Sequence, residues 1–222
     1  MKPTRVGPRW VGVEGINGVG KTYLARALAQ RLGQSCRLLA ELTDAEGEQL
    51  PAQVIGALSF GTSFLRTGHP LTETFALMAL KVREYELVTR MATPPCIVLE
   101  DRGMDTVALY QAAIMLGPDA DRDEVWALAQ QVHATAAMWR PAPAMTLLII
   151  DDIAHCLRRY ADREAAPMTD EEQHLVTRVA ELYERQAAQE PDRFRIVHRG
   201  GRDATEIVTE MHELVLAGAA RR

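Results

Sequence analysis

The stretch Gly15-Ile-Asn-Gly-Val-Gly-Lys-Thr22 fits the pattern GxxxxGK(S/T) without a mismatch. It follows Trp10 to Glu14, an apolar run of strand length. It opens Lys21 to Leu32, where Leu24, Ala27, Leu28 and Leu32 share one helical face and Gly33 closes the pattern. A strand before and a helix after are the context in which such a loop binds phosphate. Its glycines let backbone N–H groups turn inward, and the helix N-terminus adds its positive end. Lys21 then places a point charge on the β/γ oxygens, and the Thr22 hydroxyl ligates Mg²⁺. Gly15, Asn17, Gly18, Val19, Gly20, Lys21 and Thr22 are therefore expected to hold the triphosphate of ATP, with Mg²⁺ beside it.

The remaining chain is consistent with one α/β domain over 1–222. Short apolar runs at Trp10 to Glu14, Arg37 to Ala40, Cys96 to Glu100, Met145 to Ile150 and Phe194 to His198 alternate with helical patterns. The helices are expected at Lys21 to Leu32, Leu71 to Met91, Asp105 to Leu116, Asp123 to Met138, Ile153 to Tyr160, Asp170 to Gln189 and Ala204 to Leu216. Strands alternating with crossovers of this length predict a five-stranded parallel sheet with helices on both faces, a P-loop NTPase fold. Ile97-Val-Leu-Glu-Asp101 ends in acids where a strand should approach the Mg²⁺ shell, so Asp101 is the expected second metal ligand. A solvated strand end is the competing reading.

Composition narrows the partners. The net charge of -5 argues against non-specific nucleic-acid binding, which needs a basic field. Aromatics at 5% leave few platforms for stacking single-stranded bases. Cys36, Cys96 and Cys156 are widely spaced and form no CxxC pair, which suits reduced thiols. No apolar run approaches the ~18 residues of a membrane span, and Met1 to Arg9 carries no secretory pattern. A cytoplasmic protein without a membrane partner is expected.

Asp101-Arg102 is followed by Gly103-Met-Asp-Thr-Val-Ala-Leu-Tyr110-Gln111, which resembles the DR(Y/H)xxSSxAYQ segment of thymidylate kinases. Val13-Glu14-Gly15-Ile16-Asn17-Gly18 is similar to that family's EGxDGxGK(S/T) loop. Glu73 to Arg83 resembles its ELLLFAADRAQ helix, and Ala144 to Asp151 its LTLLLD strand. Leu157-Arg158-Arg159 through Asp162-Arg163 resembles a short arginine-bearing lid, about 158–169. The order and spacing of these segments carry the resemblance over most of the chain.

The resemblance implies transfer of the ATP γ-phosphoryl group to dTMP. Arg102 would hold the acceptor phosphate, and Tyr110 would lie beneath its sugar, disfavouring a 2′-hydroxyl. Gln111 would reach a base edge. Asn17 occupies the position of an acid that meets the 3′-hydroxyl, but Asn carries no negative charge. Position 18 is Gly, so the cation on the transferring group would come from the lid, from Arg158, Arg159 or Arg163, with Ala161 to Thr169 as the moving part. A homodimer is implied on the same ground.

Departures cluster on the acceptor side. The aromatic that stacks on thymine aligns with Leu77, and the arginine that reads the base aligns with Lys81. Ala40-Glu41-Leu42 lacks the arginine of the family's RE(P) segment, and Gly103 replaces the aromatic or His after DR. Three readings stay open: a divergent thymidylate kinase, a related kinase of a modified nucleotide, nucleoside or other small acceptor, and a nucleotide-binding switch or ATPase.

Overall fold

The computed structural model describes residues 7–42, 49–59 and 68–219. Its strands are β1 (Arg9–Glu14), β2 (Cys36–Leu39), β3 (Ile97–Asp101), β4 (Met145–Ile150) and β5 (Phe194–His198). They form one sheet in the order β2-β3-β1-β4-β5, parallel at every pairing. All five expected strands are present, displaced by a residue at most.

The helices are α1 (Lys21–Leu32), α2 (Gln49–Ser59), α3 (Pro70–Thr89), α4 (Met104–Leu116), α5 (Arg122–Ala137), α6 (Ile153–Glu164), α7 (Asp170–Gln189) and α8 (Ala204–Ala219). Helix α1 packs on α8, whereas α4 packs on α3, α5 and α7. Helix α2 is absent from the sequence expectation. Helix α6 runs four residues beyond its expected end, so residues 161–164 are helical rather than part of a polar loop. Ala161, Asp162, Arg163 and Glu164 carry no breaker, and Ala165 stops the helix at φ 55°. Thr169 and Glu172 then cap α7 reciprocally.

Two features of this fold position the site. Strand β1 lies in the middle of the sheet, and the chain leaves it toward β2 on one side, whereas it leaves the adjacent β3 toward β4 on the other. The crevice at the carboxyl ends of such strands is where α/β sheets bind ligands. Helix α4 is buried on nearly every side, including Asp105, Tyr110 and Gln111. A helix that is apolar all round belongs in the interior, so its polar side chains project into the protein. The main core lies between sheet and helices around Val11, Leu24, Leu99, Leu147 and Val179. A second cluster joins α2, α3, α4 and α5 through Ile55, Leu77, Met104 and Val132.

Candidate active site

The loop after β1 is built as its sequence requires. Gly20, just before helix α1, is held at φ 91° and ψ 23° with no side chain capping the helix. The first-turn N–H groups are thus left for a ligand, an arrangement suited to phosphate. Gly18, at φ 78°, has no room for a side chain, because a Cβ there would overlap the Cys156 carbonyl of α6. The lack of an arginine at position 18 therefore has a steric reason. Lys21 is buried and its Nζ donates to the Ile16 carbonyl at 2.7 Å. Burial, followed by the charge of Arg102, pushes its pKa down to about 7, against the pull of Glu41, Asp101 and Glu14. A triphosphate in the loop would supply the missing negative charge.

At the end of β3, Asp101 is 1% exposed, and among the described residues neither carboxylate oxygen has a well-formed hydrogen bond. Burial and then Glu41 raise its pKa, while Lys21 and the nearby Thr22 hydroxyl lower it. A buried carboxylate with only the Thr22 hydroxyl near it is under-satisfied. With Thr22 beside it, the donor set fits Mg²⁺, which takes few protein ligands and completes its shell with phosphate and water.

The turn that follows carries Arg102, the cation expected on the acceptor side. Arg102 adopts φ 59°, unusual for a side-chain-bearing residue. Two bonds from β1 fix it there: Arg102 N donates to the Val13 carbonyl at 3.2 Å, and Gly103 N donates to Glu14 Oε1 at 2.7 Å. The Arg102 side chain reaches Glu41 Oε1 through Nε at 2.6 Å and Asn17 Oδ1 through Nη2 at 2.8 Å. Tyr110 donates its hydroxyl to the same Asn17 oxygen at 2.9 Å, and its ring centroid is 5.8 Å from the guanidinium carbon. Burial alone would lower the Arg102 pKa, but Glu41 raises it overall. Asn17, Arg102 and Tyr110, singled out separately in the sequence, thus form one cluster.

Other expected acceptor residues lie elsewhere. Gln111 is buried and accepts from the Thr74 hydroxyl at 3.1 Å. Leu77 packs in the second apolar cluster with Leu42, Ile55 and Met104. Lys81 is 1% exposed and lies 3.0 Å from Glu84 and 3.4 Å from Glu100. Arg140 grips the same Glu100 with two bonds, at 2.9 and 2.8 Å. Burial would lower the Lys81 pKa, but Glu84 and Glu100 raise it. The Glu100 carboxylate also accounts for Gly103, where a Cβ would come within 2.8 Å of Glu100 Oε2 and 3.1 Å of Glu14 Oε1.

Of the three arginines expected in a lid, all on α6, Arg159 meets the phosphate loop. Its Nε donates to the Gly18 carbonyl at 2.8 Å, and its Nη2 pairs with Asp151 at 2.6 Å. Arg158 is exposed, and Arg163 pairs with Glu164 at 2.8 Å on an open face. Sequence reasoning missed Glu41, Arg140 and Arg199. The last of these, on the turn after β5, donates through Nη1 to the Val19 carbonyl. Glu41 falls on the acid of the family's RE(P) segment but was noted there only for the missing arginine; no motif marks Arg140 or Arg199, which reach their partners from separate loops.

The thymidylate kinase profile matches residues 13–213. The chain belongs to the thymidylate kinase family. It is accordingly an ATP-dependent nucleotide kinase, and phosphorylation of dTMP is the reaction its family supports. Thymidylate kinase from Ehrlichia chaffeensis superposes with a TM-score of 0.65 at 18% identity, covering 95% of this chain and 99% of that one. Thymidylate kinase from Candida albicans gives a TM-score of 0.65 at 17% identity, covering 96% and 93%. These likenesses establish the shared fold. A search of curated proteins returned no match. No helix among the described residues is long and apolar enough to cross a membrane.

Proposed function

We propose that this thymidylate kinase family member binds ATP in the loop Gly15 to Thr22 and dTMP against Asn17, Arg102 and Tyr110. The carrying observation is the Arg102 guanidinium bonded to the phosphate-loop side chain Asn17 at 2.8 Å. A two-pronged cation there can hold the acceptor phosphate next to the γ-phosphoryl group. Thr22 and Asp101 would hold Mg²⁺, which when bound neutralises charge on the β- and γ-oxygens. Lys21 adds a cation at the same oxygens, and Arg159, already at the loop, is the lid group best placed to reach the transferring group.

The dTMP ring must be read by groups other than an aromatic at position 77 or an arginine at position 81. The buried pairing of Lys81 and the packing of Leu77 support a base pocket rearranged around them. No observation favours a nucleotide switch or a different acceptor class. Free thiols at Cys36, Cys96 and Cys156 and the ATP requirement support a cytoplasmic setting. Exposed Leu71 and Phe75, one turn apart on α3, together with Met138 and Trp139, support a homodimer; a monomer at micromolar concentration in sedimentation velocity would remove that part.

The test is ADP release from ATP and Mg²⁺ against a panel of nucleoside monophosphates: dTMP, dUMP, dCMP and 5-substituted analogues. The proposal expects dTMP to give the highest kcat/KM. A clear preference for another member of the panel contradicts it.

A further inference from the structure

Strand β5 ends at His198, and the next residue folds back over the phosphate loop. Arg199 N donates to the Ile150 carbonyl at 2.8 Å, which ties this turn to the end of β4. Its side chain donates through Nη1 to the Val19 carbonyl. The guanidinium lies so close over Gly20 that a Cβ on that glycine would overlap it. The last glycine of the loop therefore makes room for this side chain as well as for the helix turn.

The charge around Arg199 is unbalanced. Arg159 holds the adjacent Gly18 carbonyl at 2.8 Å, so two guanidinium groups sit on successive carbonyls of one loop. Arg159 has a counter-ion in Asp151 at 2.6 Å, whereas Arg199 forms no carboxylate pair within 4 Å among the described residues. Burial and then the Arg159 charge lower the Arg199 pKa, with Asp151 opposing. Two neighbouring cations with one carboxylate between them are at lower energy once an anion joins them.

We infer that Arg199 is a donor-binding residue whose guanidinium contacts the polyphosphate of ATP alongside Arg159 and supplies positive charge to the outer side of the phosphate loop. This rests on the reading of Gly15 to Thr22 as the ATP site. Acceptor binding, at Arg102 and Asn17, is a separate cluster and does not depend on Arg199.

The experiment compares Arg199→Ala, Arg199→Gln and Arg199→Lys in the full chain, with Lys21→Ala as a control. KM for ATP, KM for dTMP, kcat and the salt dependence of ATP binding are measured for each. Arg199→Ala is expected to raise KM for ATP roughly tenfold, the scale of one partly exposed charge-assisted hydrogen bond. KM for dTMP stays within about twofold, and ATP binding loses part of its salt sensitivity. Arg199→Gln keeps a donor for Val19 but removes the charge, so it matches the alanine variant; Arg199→Lys regains most of the affinity. A structural latch on the loop predicts the reverse, with Arg199→Gln like wild type, and that result overturns the inference. The glutamine variant also decides the matter if the alanine variant fails to fold. Loss of activity in Lys21→Ala with unchanged ATP KM in all Arg199 variants removes Arg199 alone. Wild-type kinetics in every variant, Lys21→Ala included, removes the ATP-site reading too.

Discussion

Arg102 Nη2 donates to Asn17 Oδ1 at 2.8 Å, joining the turn after β3 to the phosphate loop. The two residues are 85 positions apart in the chain, and the pairing of β1 with β3 brings them together. On the proposed assignment, the cation for the acceptor phosphate is positioned by the loop that would bind the donor, which would align the two substrates for transfer.

Arg102→Ala removes that cation and leaves the phosphate loop with its own donors. KM for dTMP is expected to rise on the order of tenfold to a hundredfold, as for loss of a charge-assisted phosphate contact. KM for ATP changes by less than about threefold. Equal increases for both substrates would take Arg102 out of the acceptor site.

Lys21→Ala keeps the backbone cradle but removes charge from the migrating group. A fall in kcat of roughly a hundredfold to a thousandfold is expected, the usual scale for one preorganised electrostatic group. Circular dichroism must show a folded chain, and a wild-type kcat in that folded variant refutes the role.

The lid arginines separate by geometry. Arg159, bonded to the Gly18 carbonyl, should cost about a hundredfold in kcat when changed to Ala. Arg158→Ala and Arg163→Ala, at exposed positions, stay within about threefold. A large loss at either exposed position, with Arg159→Ala near wild type, reassigns the lid cation.

Lys81→Met strips a buried carboxylate pair of one cation. A loss of stability on the order of 3 kcal/mol is expected from the uncompensated charge, read as a lowered midpoint in denaturant. At a temperature where the variant is folded, KM for dTMP stays within about threefold. A stable variant with a large dTMP defect would instead put Lys81 against the base.

Glu14 gives a pH signature. Burial and then the Asp105 carboxylate raise its pKa from 4.5 to about 7, against hydrogen bonds from Thr106, Tyr183 and Gly103. The folded state therefore binds a proton more tightly than the unfolded one. This group's contribution to stability is full below about pH 4.5 and is lost as pH rises through about 7. Gln has the shape of the protonated acid, so Glu14→Gln should stabilise the fold above pH 7 by up to about 3 kcal/mol, taking about 1.4 kcal/mol per pKa unit, and flatten the decline between those values. A variant less stable than wild type at pH 8 contradicts this.

The strands and most helices were legible because their signals are local: period, length and flanking breakers. Helix α2 was not, since Pro51 and Gly56 interrupt a pattern otherwise carried by Leu50, Val54, Ile55 and Leu58. The phosphate loop, Asp101, Arg102 and Tyr110 were legible as motifs with fixed spacing. Arg199 and Arg140 were not, because a single charged residue in a loop gains meaning from whatever the sheet order places opposite it. Lys81 shows the converse. Its alignment suggests a base contact, but Glu100 and Arg140, distant in sequence, place it in a buried ion network. Position 103 could be read as a departure from the family pattern, yet its cause, two carboxylates filling the side-chain volume, exists only in three dimensions.

The most direct measurement uses ATP labelled on the γ-phosphate, Mg²⁺ and dTMP, with the products separated. The account predicts label in the β-phosphate of dTDP, ADP formed in equal amount, and negligible ADP when dTMP is left out. Label released as free phosphate at the same rate with and without dTMP would contradict it.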